Sequence, residues 1–399
     1  MRPLPGAVFS ALGEFVVKPA LSFMLCLGLL LGSLGVMVWT ASSPGILAWT
    51  AQNPPGQAVT DLVLRLGDNP FNIEFDPVRV DVRSERLDRE RYAGWIASPV
   101  KGVSDTNARS RKLHAARLLC LSGGSPEWLI RYEAPVVTRV NLPKQDFWRT
   151  WRGLEMAESD DGKQTEHRDQ TLAALAELGV PLSATVDSED GTFHVYDLLR
   201  TSLSEFHLDQ KEISWTATAY ACYLPPQTTW WNRYGEQFSL DRLAEEIMLR
   251  PLTRESCRGT HLVMALTKIA RVDRELGILD PGVRARLVSY LRGKLTEAVS
   301  AQLDDGSWPL CWSPSGFAVR DAEFTPENTD INRIMVTGHL LEWFHLLPGD
   351  LKPPGRCVKA GTLWTQSKLR SSSKETISKA FCPYTHAVIC LDLACSPTQ

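Results

Sequence analysis

No Cys-x-x-Cys pair occurs in this chain, although it has nine cysteines. They stand singly at Cys26, Cys120, Cys222, Cys257, Cys311, Cys357, Cys382, Cys390 and Cys395. A structural zinc site of the usual paired spacing is therefore not expected. Also missing are a Gly-x-Ser-x-Gly elbow, a P-loop and a dinucleotide fingerprint, which disfavours elbow-type hydrolysis and nucleotide chemistry. No segment carries a basic excess, and the net charge is -3 over 399 residues. A nucleic-acid partner is not expected on that balance. Long apolar runs are scarce too: there is one.

That run is Leu21–Thr40, which holds no charged residue. At helical rise its length matches a hydrocarbon core of ~30 Å, so it reads as a transmembrane helix. Arg2 and Lys18 precede it, and the next basic residue is Arg65. The positive-inside bias then puts residues 1–20 in the cytoplasm and the bulk of the chain outside it. The rival is a cleaved signal peptide, with Ala41-Ser42-Ser43 as the small residues. The run exceeds the ~7–15 residues of a usual apolar signal region, which favours an anchor over residues 21–41. Residues 42–58 are rich in Pro, Gly and Ser and read as a linker. Residues 59–105 form a small irregular adaptor: a short helix at Val59–Leu66, one or two strands in the alternating stretch Phe71–Val82, and a solvated helix face at Ser84–Arg91.

From about residue 106 to the C-terminus the pattern is helical, with a recurring theme. His114, His167, His261, His339 and His386 each lead into an apolar stretch, spaced 53, 94, 78 and 47 residues apart. Midway in the gap of 94 another apolar stretch opens at Ser214-Trp215. A period near 47 suits a helical hairpin longer than a two-helix tetratricopeptide unit. The gap of 78 needs an insertion, and the polar residues 313–332 read as that loop. Ser239–Leu249 and Val283–Ala301 carry apolar stripes at helical spacing and read as outer partners for the more uniformly apolar inner helices. A histidine shared by several helix starts is expected to cap and pack before it does chemistry.

Gln302-x-x-x-Gly306-x-Trp308 has the form of a repeat signature. With it the chain resembles the α/α-toroid superfamily of terpenoid cyclases and protein prenyltransferase β subunits. The resemblance implies a mainly α fold, an α/α-hairpin toroid over residues 106–399. It implies that Gln302, Gly306 and Trp308 form a structural clasp. Lys294 keeps the motif's basic position, whereas Glu297 replaces its usual aromatic. Asp187-x-x-x-Gly191-x-Phe193 and Asp209-x5-Trp215 are weaker echoes. The Asp-x-Asp-Asp acid of the cyclases and the Asp-x-Cys zinc pair of the prenyltransferases are both absent. The nearest acidic stretches, Glu158–Asp161 and Asp187–Asp190, read as exposed loops, unsuited to a protonating acid.

Two sets of candidates remain. Cys257, His261 and His339 could line the ring interior or hold a metal; Cys257 and His261 are four residues apart and can face one way. No metal is firmly implied, with zinc as the candidate if one binds. Asp304, Asp305 and Glu342 are the candidate catalytic carboxylates, the pairing a glycan-cleaving site needs. The expectation is a single-pass, membrane-anchored extracytoplasmic toroid that binds or scaffolds in the cell envelope. The alternative is a terpenoid-cyclase-like, prenyltransferase-like or glycan-cleaving enzyme acting on a lipid or polysaccharide inside the ring.

Overall fold

A computed structural model describes residues 69–81, 88–99, 108–121, 126–133, 136–142, 144, 147–150, 153–156, 168–252, 255–313 and 326–395. The expected anchor Leu21–Thr40, the linker 42–58, the helix Val59–Leu66 and His167 lie outside these residues. Among the described residues no helix is long and apolar enough to cross a membrane.

The described chain is mainly helical. Six helices form its inner layer: α2 (Ala108–Leu121), α3 (Gln170–Glu177), α5 (Ile213–Tyr223), α7 (Thr260–Leu276), α9 (Pro326–Leu346) and α12 (Phe381–Cys395). Each packs on the next in that order, and α12 returns to α2. Helices in such a circuit meet neighbours on both flanks, so they must be apolar nearly all round. All residues of α5 are buried, as is every residue of α12 from Tyr384 to Ala394. The remaining helices, α1 (Arg89–Ala97), α4 (Val195–Glu205), α6 (Leu240–Leu249), α8 (Pro281–Ser300), α10 (Gly355–Ser371) and α11 (Lys374–Lys379), lie against this layer. The sequence stripes placed α6 and α8 correctly: α6 packs on α5 and α7, and α8 packs on α6 and α7.

Four expectations need correction. The region after residue 106 is not purely helical. β1 (Ile130–Glu133), β2 (Val136–Val140), β5 (Thr185–Ser188) and β6 (Gly191–His194) form one sheet in that order. Two further hairpins are β3 (Phe147–Thr150) with β4 (Gly153–Met156), and β7 (Thr229–Trp231) with β8 (Gln237–Ser239). The weak echo Asp187–Phe193 is therefore a β-hairpin, not a helical clasp. The helix expected at Ser84–Arg91 is instead α1 over Arg89–Ala97, started by Asp88, whose carboxylate accepts the Arg91 N–H at 3.0 Å. The polar insertion is shorter than 313–332, because α9 begins at Pro326.

The fourth correction concerns Phe71–Val82. Its described part is a strap without strand pairing. Phe71, Ile73, Phe75, Val78 and Val80 pack on the core, which explains the alternation. The backbone N–H groups go to helix ends instead: Phe71 to Cys222 O (2.8 Å), Asp76 to His345 O (3.0 Å) and Val80 to Ala394 O (3.4 Å). Those carbonyls belong to the last turns of α5, α9 and α12, where no intrahelical donor exists.

Gln302, Gly306 and Trp308 stand in the turn after α8. Gln302 Nε2 donates to Gly306 O at 2.8 Å and to Cys357 O at 2.9 Å, tying the end of α8 to α10. Gly306 has φ 93, and a Cβ there would lie 2.4 Å from Ala360 O. Trp308 is fully buried, and its indole N–H donates to Ala298 O at 2.7 Å. Truncating Trp308 leaves a cavity and an unanswered carbonyl. Trp308→Ala should therefore lower unfolding free energy by ~3–5 kcal/mol in denaturant melts. A loss under ~0.5 kcal/mol, the level of a surface site, would remove the clasp assignment.

Candidate functional site

Four of the recurring histidines do not act separately. His114 on α2, His261 on α7, His339 on α9 and His386 on α12 meet in the interior with Cys257 and Cys382. The ligand atoms of Cys257, His261 and His339 all lie within 4.8 Å of one another, and so do those of His114, Cys382 and His386. The first group is the set singled out from sequence. Only His261 sits at a helix start; His114, His339 and His386 stand inside their helices, because each helix begins further upstream than the apolar stretch suggested.

Local structure aims each ring. His114 Nδ1 donates to Ser110 O at 2.8 Å and His339 Nδ1 to Met335 O at 2.7 Å, both one turn back along their own helices. His386 Nδ1 donates to Glu342 Oε2 at 2.6 Å. In the neutral ring such a bond leaves the lone pair on Nε2, the arrangement that ligating histidines adopt. His386 Nε2 is buried with no hydrogen-bond partner. His339 Nε2 lies 3.0 Å from His261 Nε2. The rings of His339 and His386 stack at 3.6 Å. Gly338 permits this: a Cβ there would lie 2.9 Å from the Ala387 backbone nitrogen, so α9 and α12 could not approach as closely with any other residue.

Cys257 is placed by an unusual turn. Cys257, Arg258 and Gly259 have φ of 50, 57 and 76, three left-handed residues in a row before α7. For the two non-glycine residues this costs ~1–3 kcal/mol each, so the surroundings must enforce it. Thr260 Oγ1 donates to Cys257 O at 2.8 Å, and the Trp312 indole donates to Arg258 O at 3.0 Å.

The electrostatics separate the groups. Burial pushes His339 well below the usual imidazole range, and the neighbouring His386 and His261 charges push the same way. Burial also opposes charge on His386, but the Glu342 carboxylate and the Cys382 sulfur outweigh it and raise it to about 9. The Cys257 and Cys382 thiols act on each other. Their interaction holds Cys382 well below the thiol range and Cys257 well above it.

Behind the cluster runs a buried ion-pair chain. Glu342, fully buried, also pairs with Arg117. Arg117 Nε donates to Glu177 Oε2 at 2.7 Å, and Glu177 pairs with Lys268. Burial raises Glu177, yet Arg117 and Lys268 bring it down to about 2. Beside the cluster lies a small cavity of about 10 Å³, lined by Arg117, Trp215, His261, Met264, Lys268 and His386 among others. Arg117 Nη1 is buried without a hydrogen-bond partner.

The candidate carboxylates divide. Glu342 belongs to the centre, as the partner that orients His386. Asp304 and Asp305 do not join it: both are exposed in the turn after α8. Asp305 accepts from Ser307 Oγ at 2.8 Å and pairs with Arg333, a turn-closing role. Burial raises its carboxyl, but Arg333 and Ser307 together outweigh that and bring it to about 2. Sequence reasoning missed Cys382. The signal was present: Cys257-Arg-Gly-Thr-His261 and Cys382-Pro-Tyr-Thr-His386 are two copies of Cys-x-x-Thr-His.

The ion-pair chain predicts an acid response. The folded-state pKa of Glu177 is depressed from 4.5 to about 2. Its stabilisation is therefore complete above pH 4.5 and lost as pH falls towards 2, on the order of 3 kcal/mol in all. Glu177→Gln should remove that part of the acid slope and destabilise the neutral protein by ~3–5 kcal/mol, since Lys268 loses its buried partner. Denaturant melts from pH 7 to pH 2.5 check both; an unchanged slope would show that Glu177 is not held as described.

Compared with known proteins, this chain matches no family model, no curated protein and no solved structure.

Proposed function

We propose that this chain is a zinc-type metalloprotein, and that the metal centre serves an enzyme. The observation that carries the reading is the convergence of Cys257, His261 and His339 on one buried point beside a pocket. Imidazole nitrogen and thiolate sulfur are the donors zinc selects. Three protein donors with a neighbouring cavity match the layout of a catalytic site, in which one position stays open. A bound ion would supply Lewis acidity to a carbonyl or phosphoryl oxygen in the pocket. The protein's own groups would do the rest. Glu342 holds His386 in register, Arg117 offers an uncommitted N–H to a polar oxygen, and Met264 and Trp215 exclude water.

The closed packing circuit of α2, α3, α5, α7, α9 and α12 supports the α/α-hairpin toroid. We extend the proposal to a toroid anchored by Leu21–Thr40 and held outside the cytoplasm. A cavity of about 10 Å³ has room for about one water-sized group, far below the usual ~300–1,000 Å³ of ligand sites. It suits one functional group of a lipid or glycan better than a whole isoprenoid or sugar chain, which weighs against cyclase-like chemistry.

A second reading has its own observation. Nearly all the donors are buried or half-buried, as in closed structural sites, so the metal could stabilise a binding or scaffold domain. The test uses the full-length chain purified in detergent. At least one zinc per chain is expected by mass spectrometry; a folded, metal-free protein ends the metal reading. Cobalt substitution separates the two roles. A ligand-field spectrum that shifts on adding cyanide marks an open position, and an inert spectrum marks a closed, structural one.

A further inference from the structure

The two Cys-x-x-Thr-His copies do the same thing twice. In the first, Cys257 and His261 stand at the head of α7, and the third donor is His339 from α9, the next helix of the circuit. In the second, Cys382 stands in the first turn of α12 and His386 one turn further in, and the third donor is His114 from α2, again the next helix of the circuit. Each half is thus one Cys-x-x-Thr-His helix plus one histidine from its neighbour. The threonines match too: both are fully buried, and both hydroxyls bond a carbonyl just upstream, Thr260 to Cys257 O and Thr385 to Phe381 O, at 2.8 Å each.

Resting on the metal reading above, we propose that the cluster is a two-metal centre. One divalent ion of the zinc class is held by Cys257, His261 and His339, and a second by His114, Cys382 and His386.

The ring geometry argues against a single shared ion. His339 and His386 stack with centroids 3.6 Å apart and planes inclined by 29°. Planes so placed meet only about 7 Å from the rings, whereas an ion at a Zn–N distance of ~2.0–2.1 Å lies about 3 Å from its ring centre. One ion therefore cannot lie in the plane of both. Two ions, one per ring, would sit side by side like the rings, at the ~3.5–4 Å separation of two-metal sites. Within the first half, His261 Nε2 and His339 Nε2 are 3.0 Å apart, close to the ~3.3 Å between two nitrogens on one tetrahedral ion. In the second half, His386 Nε2 is the buried nitrogen without a partner. The donor count agrees. A single tetrahedral ion takes four ligands, and two of the six donors would be left over, whereas two ions use all six and leave each an open position.

Metal stoichiometry tests this on the full-length chain, loaded with zinc under reducing conditions and freed of excess by gel filtration. Two ions per chain are expected. His339→Gln and His114→Gln should each retain one, with the far-ultraviolet circular dichroism of the parent showing that the fold persists. With cobalt, the wild-type pair should show magnetic coupling that is absent from either variant. One ion per wild-type chain overturns the two-metal centre and leaves the metal reading standing. No ion in the folded wild-type chain overturns both. Two ions undiminished in both variants also overturn the assignment, because the second ion would then lie elsewhere.

Discussion

Buried charge has to be answered by charge, and in this interior one chain of ion pairs does it. Lys268, Glu177, Arg117, Glu342 and His386 are linked in that order. They come from α7, α3, α2, α9 and α12, so five of the six inner helices meet through it. Leaving any member unpaired would strand a charge in a low-dielectric core at a cost of several kcal/mol. The chain is thus a condition on how the helices are arranged more than a source of net stability. It ends on His386, so the same register that satisfies the charges also fixes the orientation of a metal-ligand candidate.

The rest of the fold closes around this centre by ordinary means. The strap 69–81 donates backbone N–H groups to the last turns of α5, α9 and α12, answering carbonyls that a helix cannot satisfy by itself. The Gln302–Trp308 turn secures α8 against α10. The left-handed run at Cys257–Gly259 brings one thiol inward at a conformational cost. Strain of this kind persists at sites where position matters more than local preference.

A repeat can look architectural and still be chemical. Reading the recurring histidines as helix-start furniture rested on their regular spacing along the chain. Spacing says where residues fall on successive helices, but not that the helices close into a circuit. Once they do, residues at like positions on different helices face one interior, and recurrence becomes convergence. The same logic removed Asp304 and Asp305. Their place inside a motif made them conspicuous, yet a turn that needs Gly306 at φ 93 puts its acidic residues in solvent.

By itself the sequence determined the helical class and the outer helices α6 and α8, and it put forward Gln302–Trp308 as a clasp and Cys257, His261 and His339 as a set. Each depends on short-range periodicity or spacing, which the chain carries locally. It did not determine the strap, whose alternation mimics a strand because both bury every second residue. Nor did it determine the sheet, where β2 pairs in parallel with β5, partners 46 residues apart. Only the tertiary structure joined Cys382, His386 and His114 to the site and matched Glu342 with Arg117. Those partners are 44 to 272 residues apart, and no local pattern encodes which distant helix will pack beside which.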